Sequence, residues 1–158
     1  MNIKTIFTLV GAIVVSELAG IVGSLFTFQS IPTWYTTIIR PDFSPPNWIF
    51  GPLWTTLFAL MGIALFLVWQ ERYAQKKIRL AMSLFFVQLL LNTLWSIIFF
   101  SKHNIGGAFI EIIFLWLAIV ATSIAFFKIS KPAGYLLLPY IAWVSFAGYL
   151  NYVIWTLN

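Results

Sequence analysis

The stretch RPDFSPPNWIFGPLW, from Arg40 to Trp54, gathers Pro41, Pro45, Pro46 and Pro52 around Trp48 and Trp54. Each proline fixes φ and removes a backbone donor, so together they stiffen the chain. Each tryptophan offers a large flat apolar face and a single N–H donor. Recognition of a flat hydrophobic molecule is the chemistry this combination suits, and the prolines would roof the site.

Later segments repeat the theme. Gln88, Asn92, Trp95 or Ser96, and Phe99 fall on one helical stripe. An Asn at membrane depth is either a hydrogen-bonded tie between helices or a polar anchor in a pocket. Near the C-terminus Pro139, Trp143, Ala147, Leu150 and Asn151 share a face, and Ala147 with Gly148 leaves room beside the indole. Trp54, Phe58 and Met61 share another. Each stripe alone reads as packing or as pocket wall; three together point to an aromatic pocket.

Ionisable groups are scarce. Glu17 and Glu111 lie inside apolar runs, where a carboxylate is either a protonated or hydrogen-bonded structural group or a functional one. Small drug–proton antiporters use such a Glu, so transport through Glu17 or Glu111 is one reading. His103, the sole histidine, sits in a loop and suits neither metal nor haem ligation. No nucleophile–base pair, phosphate loop or metal-ligand spacing occurs, and no cofactor is expected. Cysteine is absent, which excludes disulfides and thiolate metal sites.

The elements that must position these residues follow from composition. Of 158 residues 61% are hydrophobic and 8% charged, against about 25% charged in soluble domains. Lipid is the solvent that tolerates this, and inside it only helices and closed barrels satisfy their backbones. Long unbroken apolar runs, without strand alternation, select helices. The pattern predicts an all-α membrane protein, a bundle of five transmembrane helices over 5–27, 47–70, 79–101, 105–127 and 133–156, in one domain. The first run is too long for a signal peptide, and its basic flank is only Lys4, so it is expected to be a retained span.

Ser44 before Pro45 predicts a helix start with serine as cap and proline first. Pro52 would then deprive the Trp48 carbonyl of its partner and distort the helix there. Ala12, Ser16, Gly20 and Ser24 form a ridge of small residues, suited to packing in the bundle or to a homodimer seam. Lys4, the group Arg72, Lys76, Lys77 and Arg79, and Lys128 with Lys131 lie on one side; Arg40 and Lys102 lie on the other. The positive-inside rule places the N-terminus in the cytoplasm and the proline loop outside, as in a prokaryotic plasma membrane. No basic cluster suits nucleic acid.

The chain resembles the TspO/MBR family (tryptophan-rich sensory protein, translocator protein or peripheral-type benzodiazepine receptor). The resemblance rests on Trp34–Tyr35, RPDFSPPNWIFGPLWTTLFALMG from Arg40 to Gly62, LLLNTLWSIIFF from Leu89 to Phe100, and LLLPYIAWVSFAGYLNYVIWTLN from Leu136 to Asn158. It implies a five-helix bundle, often a homodimer, with a pocket beneath the first loop for protoporphyrin IX and related flat hydrophobic ligands. Carried over by position, the pocket would use Trp34, Trp48, Trp54, Asn92, Trp95, Trp143, Ala147 and Leu150. Some members are associated with light-dependent porphyrin degradation, which would place Trp54 and Trp143 in a catalytic role; others are associated with sensing. Animal members carry a basic residue after the last-helix tyrosine, within a sterol motif. Here Tyr152 is followed by VIWTLN, so sterol binding is not expected through that segment.

Overall fold

A computed structural model describes residues 2–71 and 74–158. The described residues form six α-helices: α1 (Ile3–Ser30), α2 (Asn47–Gln70), α3 (Gln75–Ser96), α4 (Ile105–Ile129), α5 (Lys131–Leu136) and α6 (Leu138–Leu157). Among the described residues five spans are long and apolar enough to cross a membrane, with α5 and α6 forming the fifth. Pro139 near the start of α6 cannot donate to the carbonyl four residues back, and the fifth span is interrupted at Leu137. Arg72, part of the charge argument for orientation, lies outside the described residues.

The start of α2 departs from expectation. Ser44 does not cap it; the helix begins at Asn47, with Pro46 as the preceding residue at φ −57°, ψ 141°. Proline at 46 disfavours helical geometry at 45, so the Pro45–Pro46 pair delays the helix until both are passed. Ser44 instead donates its backbone N–H to the Pro41 carbonyl at 3.0 Å. α2 then runs unbroken through Pro52.

Backbone contact joins α1 to α2. A Cβ placed on Gly62 would meet the Ile13 Cα at 2.5 Å and the Ala12 carbonyl oxygen at 2.9 Å. One on Gly20 would meet the Phe58 ring, and Ser16 is fully buried. The small-residue ridge of α1 therefore packs inside the bundle over Ala12–Gly20. α1 is nonetheless the peripheral helix: 11% of its apolar window is buried, against 33–44% in the other spans.

α3 ends in a π-helical turn, Ile97–Ser101, where an extra residue per turn rotates the side chains that follow. Phe99 and Phe100 are both buried as a result. Trp95 stacks on Phe99 with centroids 5.0 Å apart and meets Phe100 edge-on at 5.9 Å. The Ser30 hydroxyl donates to the Phe100 carbonyl at 2.7 Å, tying α1 to this turn.

Candidate functional site

One cavity of about 450 Å³ lies between α1, α2, α3 and α6, within the range of small-molecule sites. α2 supplies Trp48, Phe50, Gly51, Trp54, Thr55 and Phe58. α3 and its π-turn supply Asn92, Trp95, Ser96, Phe99 and Phe100; α6 supplies Trp143, Ala147, Leu150, Asn151 and Ile154. α1 lines it from Glu17 to Phe28, including Gly20, Gly23 and Ser24, and Ile31 follows just past the helix end. The cavity thus sits where the two helices diverge, above their contact at Gly62.

Of the residues expected at a site, Trp48, Trp54, Asn92, Trp95, Trp143, Ala147 and Leu150 all border this cavity. Trp48 does so only at the rim, with 74% of its surface exposed. Trp34 is not part of the wall. It stacks on His103 at 4.3 Å and meets the Phe99 edge at 5.5 Å, so it braces the wall from behind. His103 reaches it from a left-handed backbone, φ 53°. Phe50 and the α1 residues were not anticipated. Phe50, four residues before Trp54, shares its face and lies edge-on to Trp143 at 6.0 Å. The small residues of α1 signalled close packing, and towards Ser24 they leave space instead.

Polar ties hold the aromatic walls in place. Asn92 donates through Nδ2 to the Tyr140 hydroxyl at 2.8 Å. Trp95 Nε1 donates to Asn151 Oδ1 at 3.0 Å, and Asn151 Nδ2 donates to the Ile105 carbonyl at 3.0 Å, so α3, α6 and α4 are linked through two side chains. Asn92 is therefore an interhelical tie that also faces the cavity. Removing its acceptor by Tyr140→Phe is expected to lower the unfolding free energy by about 1 kcal/mol. Equilibrium unfolding in mixed detergent micelles measures this, and a double-mutant cycle with Asn92→Leu should recover the coupling.

Trp143 differs from Trp95: its Nε1 is buried without a hydrogen-bond partner. The indole is held by Phe50 and by Phe146 at 5.4 Å, so its unbonded N–H is enclosed beside the cavity rather than tied to a neighbouring helix. Glu17 is the one carboxyl side chain among the described lining residues. Glu111 is buried apart from the cavity, with neither oxygen bonded. The two acids thus stand in different surroundings. Among the described residues no cluster of three or more His, Cys, Asp or Glu could hold a metal ion.

Above the cavity the loop is fixed at several points. Asn158 accepts from the Ile39 N–H at 2.9 Å and donates to its carbonyl at 3.0 Å. The Arg40 guanidinium lies 4.8 Å from the centre of the Tyr35 ring. Burial raises the Tyr35 phenol above its ordinary pKa, and Arg40 partly opposes that shift. Tyr35 in turn packs on Phe99 and Phe100.

A family model described as TspO/MBR matches residues 12–156. The tryptophan-rich protein TspO of Chlorobaculum tepidum is 42% identical over 155 residues, covering 98% of each chain. The human translocator protein is 37% identical over 139 residues, covering 87% of this chain and 82% of its own. The tryptophan-rich sensory protein of Cereibacter sphaeroides is 34% identical over 125 residues, covering 79% of this chain and 77% of its own.

Proposed function

Since the chain belongs to the TspO/MBR family and is a multi-pass integral membrane protein, we propose that it is a membrane receptor for porphyrins such as protoporphyrin IX and related flat hydrophobic ligands. The observation that carries this reading is the cavity walled by Trp54, Trp95 and Trp143, drawn from three different helices. Flat indole faces favour a flat conjugated ligand by stacking and dispersion. The Asn92 side chain on the cavity wall gives such a ligand a polar point of registration. Binding would signal through the helices the ligand bridges. α1 meets the rest of the bundle at few buried positions and lines the open side of the cavity, which makes it the element most free to respond.

In this reading the N-terminus is cytoplasmic, supported by the lysines at 4, 76, 77, 128 and 131 on that side. The lipid-facing side of α1, with Phe7, Val14, Leu18 and Leu25 exposed, is the surface available for a homodimer. The test of the central claim is a protoporphyrin IX titration of the protein in nanodiscs, followed by the porphyrin absorbance band against empty nanodiscs. Saturable binding of one porphyrin per chain is expected. Uptake that only matches the lipid control would overturn the reading.

A further inference from the structure

Outside the aromatic cavity lies a second, shallower recess, bordered by Ile38, Arg40, Ser44 and Asn47 together with prolines of the loop. Asn47 and Trp48 border both spaces, so the recess adjoins the cavity mouth. Its chemistry is opposite to that of the cavity. Arg40 brings a guanidinium with five donors; one makes a long 3.4 Å contact to Asn47 Oδ1 and another is engaged with Tyr35, which leaves donors over. Ser44 Oγ is buried there with no hydrogen-bond partner. Asp42, the acid nearest in sequence, is exposed, and no acid bonds Arg40 among the described residues.

The loop holds these groups in place. Ile39 is bonded through both its backbone groups to Asn158. The Ser44 N–H is bonded to Pro41, and Pro45 and Pro46 restrict the approach to α2. Groups fixed before binding lose little freedom when they engage a ligand. A guanidinium beside a free hydroxyl is a carboxylate site in its donor geometry. The far end of the cavity carries Glu17, an acid that offers a carboxylate no cationic partner there.

We propose that Arg40 and Ser44 form an anion subsite that takes the carboxylate of an amphipathic flat ligand whose rings occupy the cavity. The subsite orients the ligand, with its acidic groups at the mouth and its apolar edge towards α1 and Glu17. This inference rests on the porphyrin reading above and adds to it a requirement for an acidic group.

The experiment compares protoporphyrin IX with its dimethyl ester, which keeps the ring and removes both charges. Each is titrated against the wild-type protein, Arg40→Gln and Arg40→Lys in phosphatidylcholine nanodiscs. The mutant-to-wild-type ratio for each ligand cancels its partition into lipid. Arg40→Gln is expected to weaken the acid about tenfold and to leave the ester unchanged, which also reports that the variant is folded. Arg40→Lys, which keeps the charge and loses the planar fork, should fall between Arg40→Gln and wild type in acid affinity. Equal acid affinity in Arg40→Gln and wild type, with both ligands bound, would overturn the subsite and leave the porphyrin reading standing. A lipid phosphate held in the recess gives that same outcome. If neither ligand binds the wild type above the lipid control, the porphyrin reading falls and the subsite with it.

Discussion

Replacing Gly62 with valine is expected to destabilise the folded bundle by about 3 kcal/mol or more. The reason is that the atoms a side chain would meet are all backbone: Ile13 Cα, Ile13 N and the Ala12 carbonyl. A flexible side chain can swing aside; a helix backbone can move only as a helix. α1 would have to shift outward along its contact with α2. In lipid no hydrophobic force pulls it back, because the tails are as apolar as its own side chains. The same shift would widen the open side of the cavity, since α1 and α2 flank it just beyond this contact. Porphyrin affinity should therefore fall with stability. Gly11→Ala is the control on α1: nothing lies within 4 Å of its added Cβ, so the helix should gain rather than lose, by up to about 1 kcal/mol. Unfolding in mixed micelles reads both. A Gly62→Val protein within about 0.5 kcal/mol of wild type would mean the interhelical contact is not close packed.

That contact illustrates what the sequence could and could not convey. Five spans were legible because lipid forces each backbone to satisfy itself, and the resulting runs of apolar residues are visible without any knowledge of packing. The small ridge on α1 was legible as a seam, but its partner was not, because Ala, Ser and Gly allow close approach without specifying what approaches. The face each helix turns inward followed from spacing. Trp143, Ala147 and Leu150 recur at helical intervals, as do Asn92, Trp95 and Phe99, and each set lines the cavity. The same arithmetic separates Trp48 from Trp54. Six residues at about 100° each leave them about 120° apart, which is why Trp48 stands at the rim while Phe50 shares the wall with Trp54. The π-turn at Ile97–Ser101 left no mark, since IIFFS is apolar at four positions of five and registers equally well with α or π winding. Trp34 was placed at the site by its neighbourhood in the motif. Its actual partner, His103, comes from a loop about seventy residues away and could be assigned only in three dimensions.

Trp143→Ala is expected to weaken protoporphyrin binding about thirtyfold, the larger effect on function. Three contributions add. Loss of the indole removes apolar contact area at the wall, at roughly 25 cal/mol per Å². It removes aromatic stacking beyond area, about 0.5–1.5 kcal/mol. It also deletes a buried N–H beside the cavity that has no hydrogen-bond partner. The contributions separate by substitution. Trp143→Phe keeps a ring against Phe50 and Phe146 and loses the donor with about a third of the ring, so its penalty should be about three- to tenfold. Affinity must be read from the porphyrin absorbance band, because removing an indole changes the protein's own fluorescence. Trp116→Phe is the matched control. That indole lies outside the cavity and donates to Ser145 Oγ at 2.8 Å, so its loss should leave binding unchanged. The order expected is therefore wild type equal to Trp116→Phe, then Trp143→Phe, then Trp143→Ala. If the two Trp143 variants bind as tightly as wild type, α6 is not part of the binding wall. If Trp143→Phe alone matches wild type, the ligand uses the ring and not its N–H, and registration falls to Asn92.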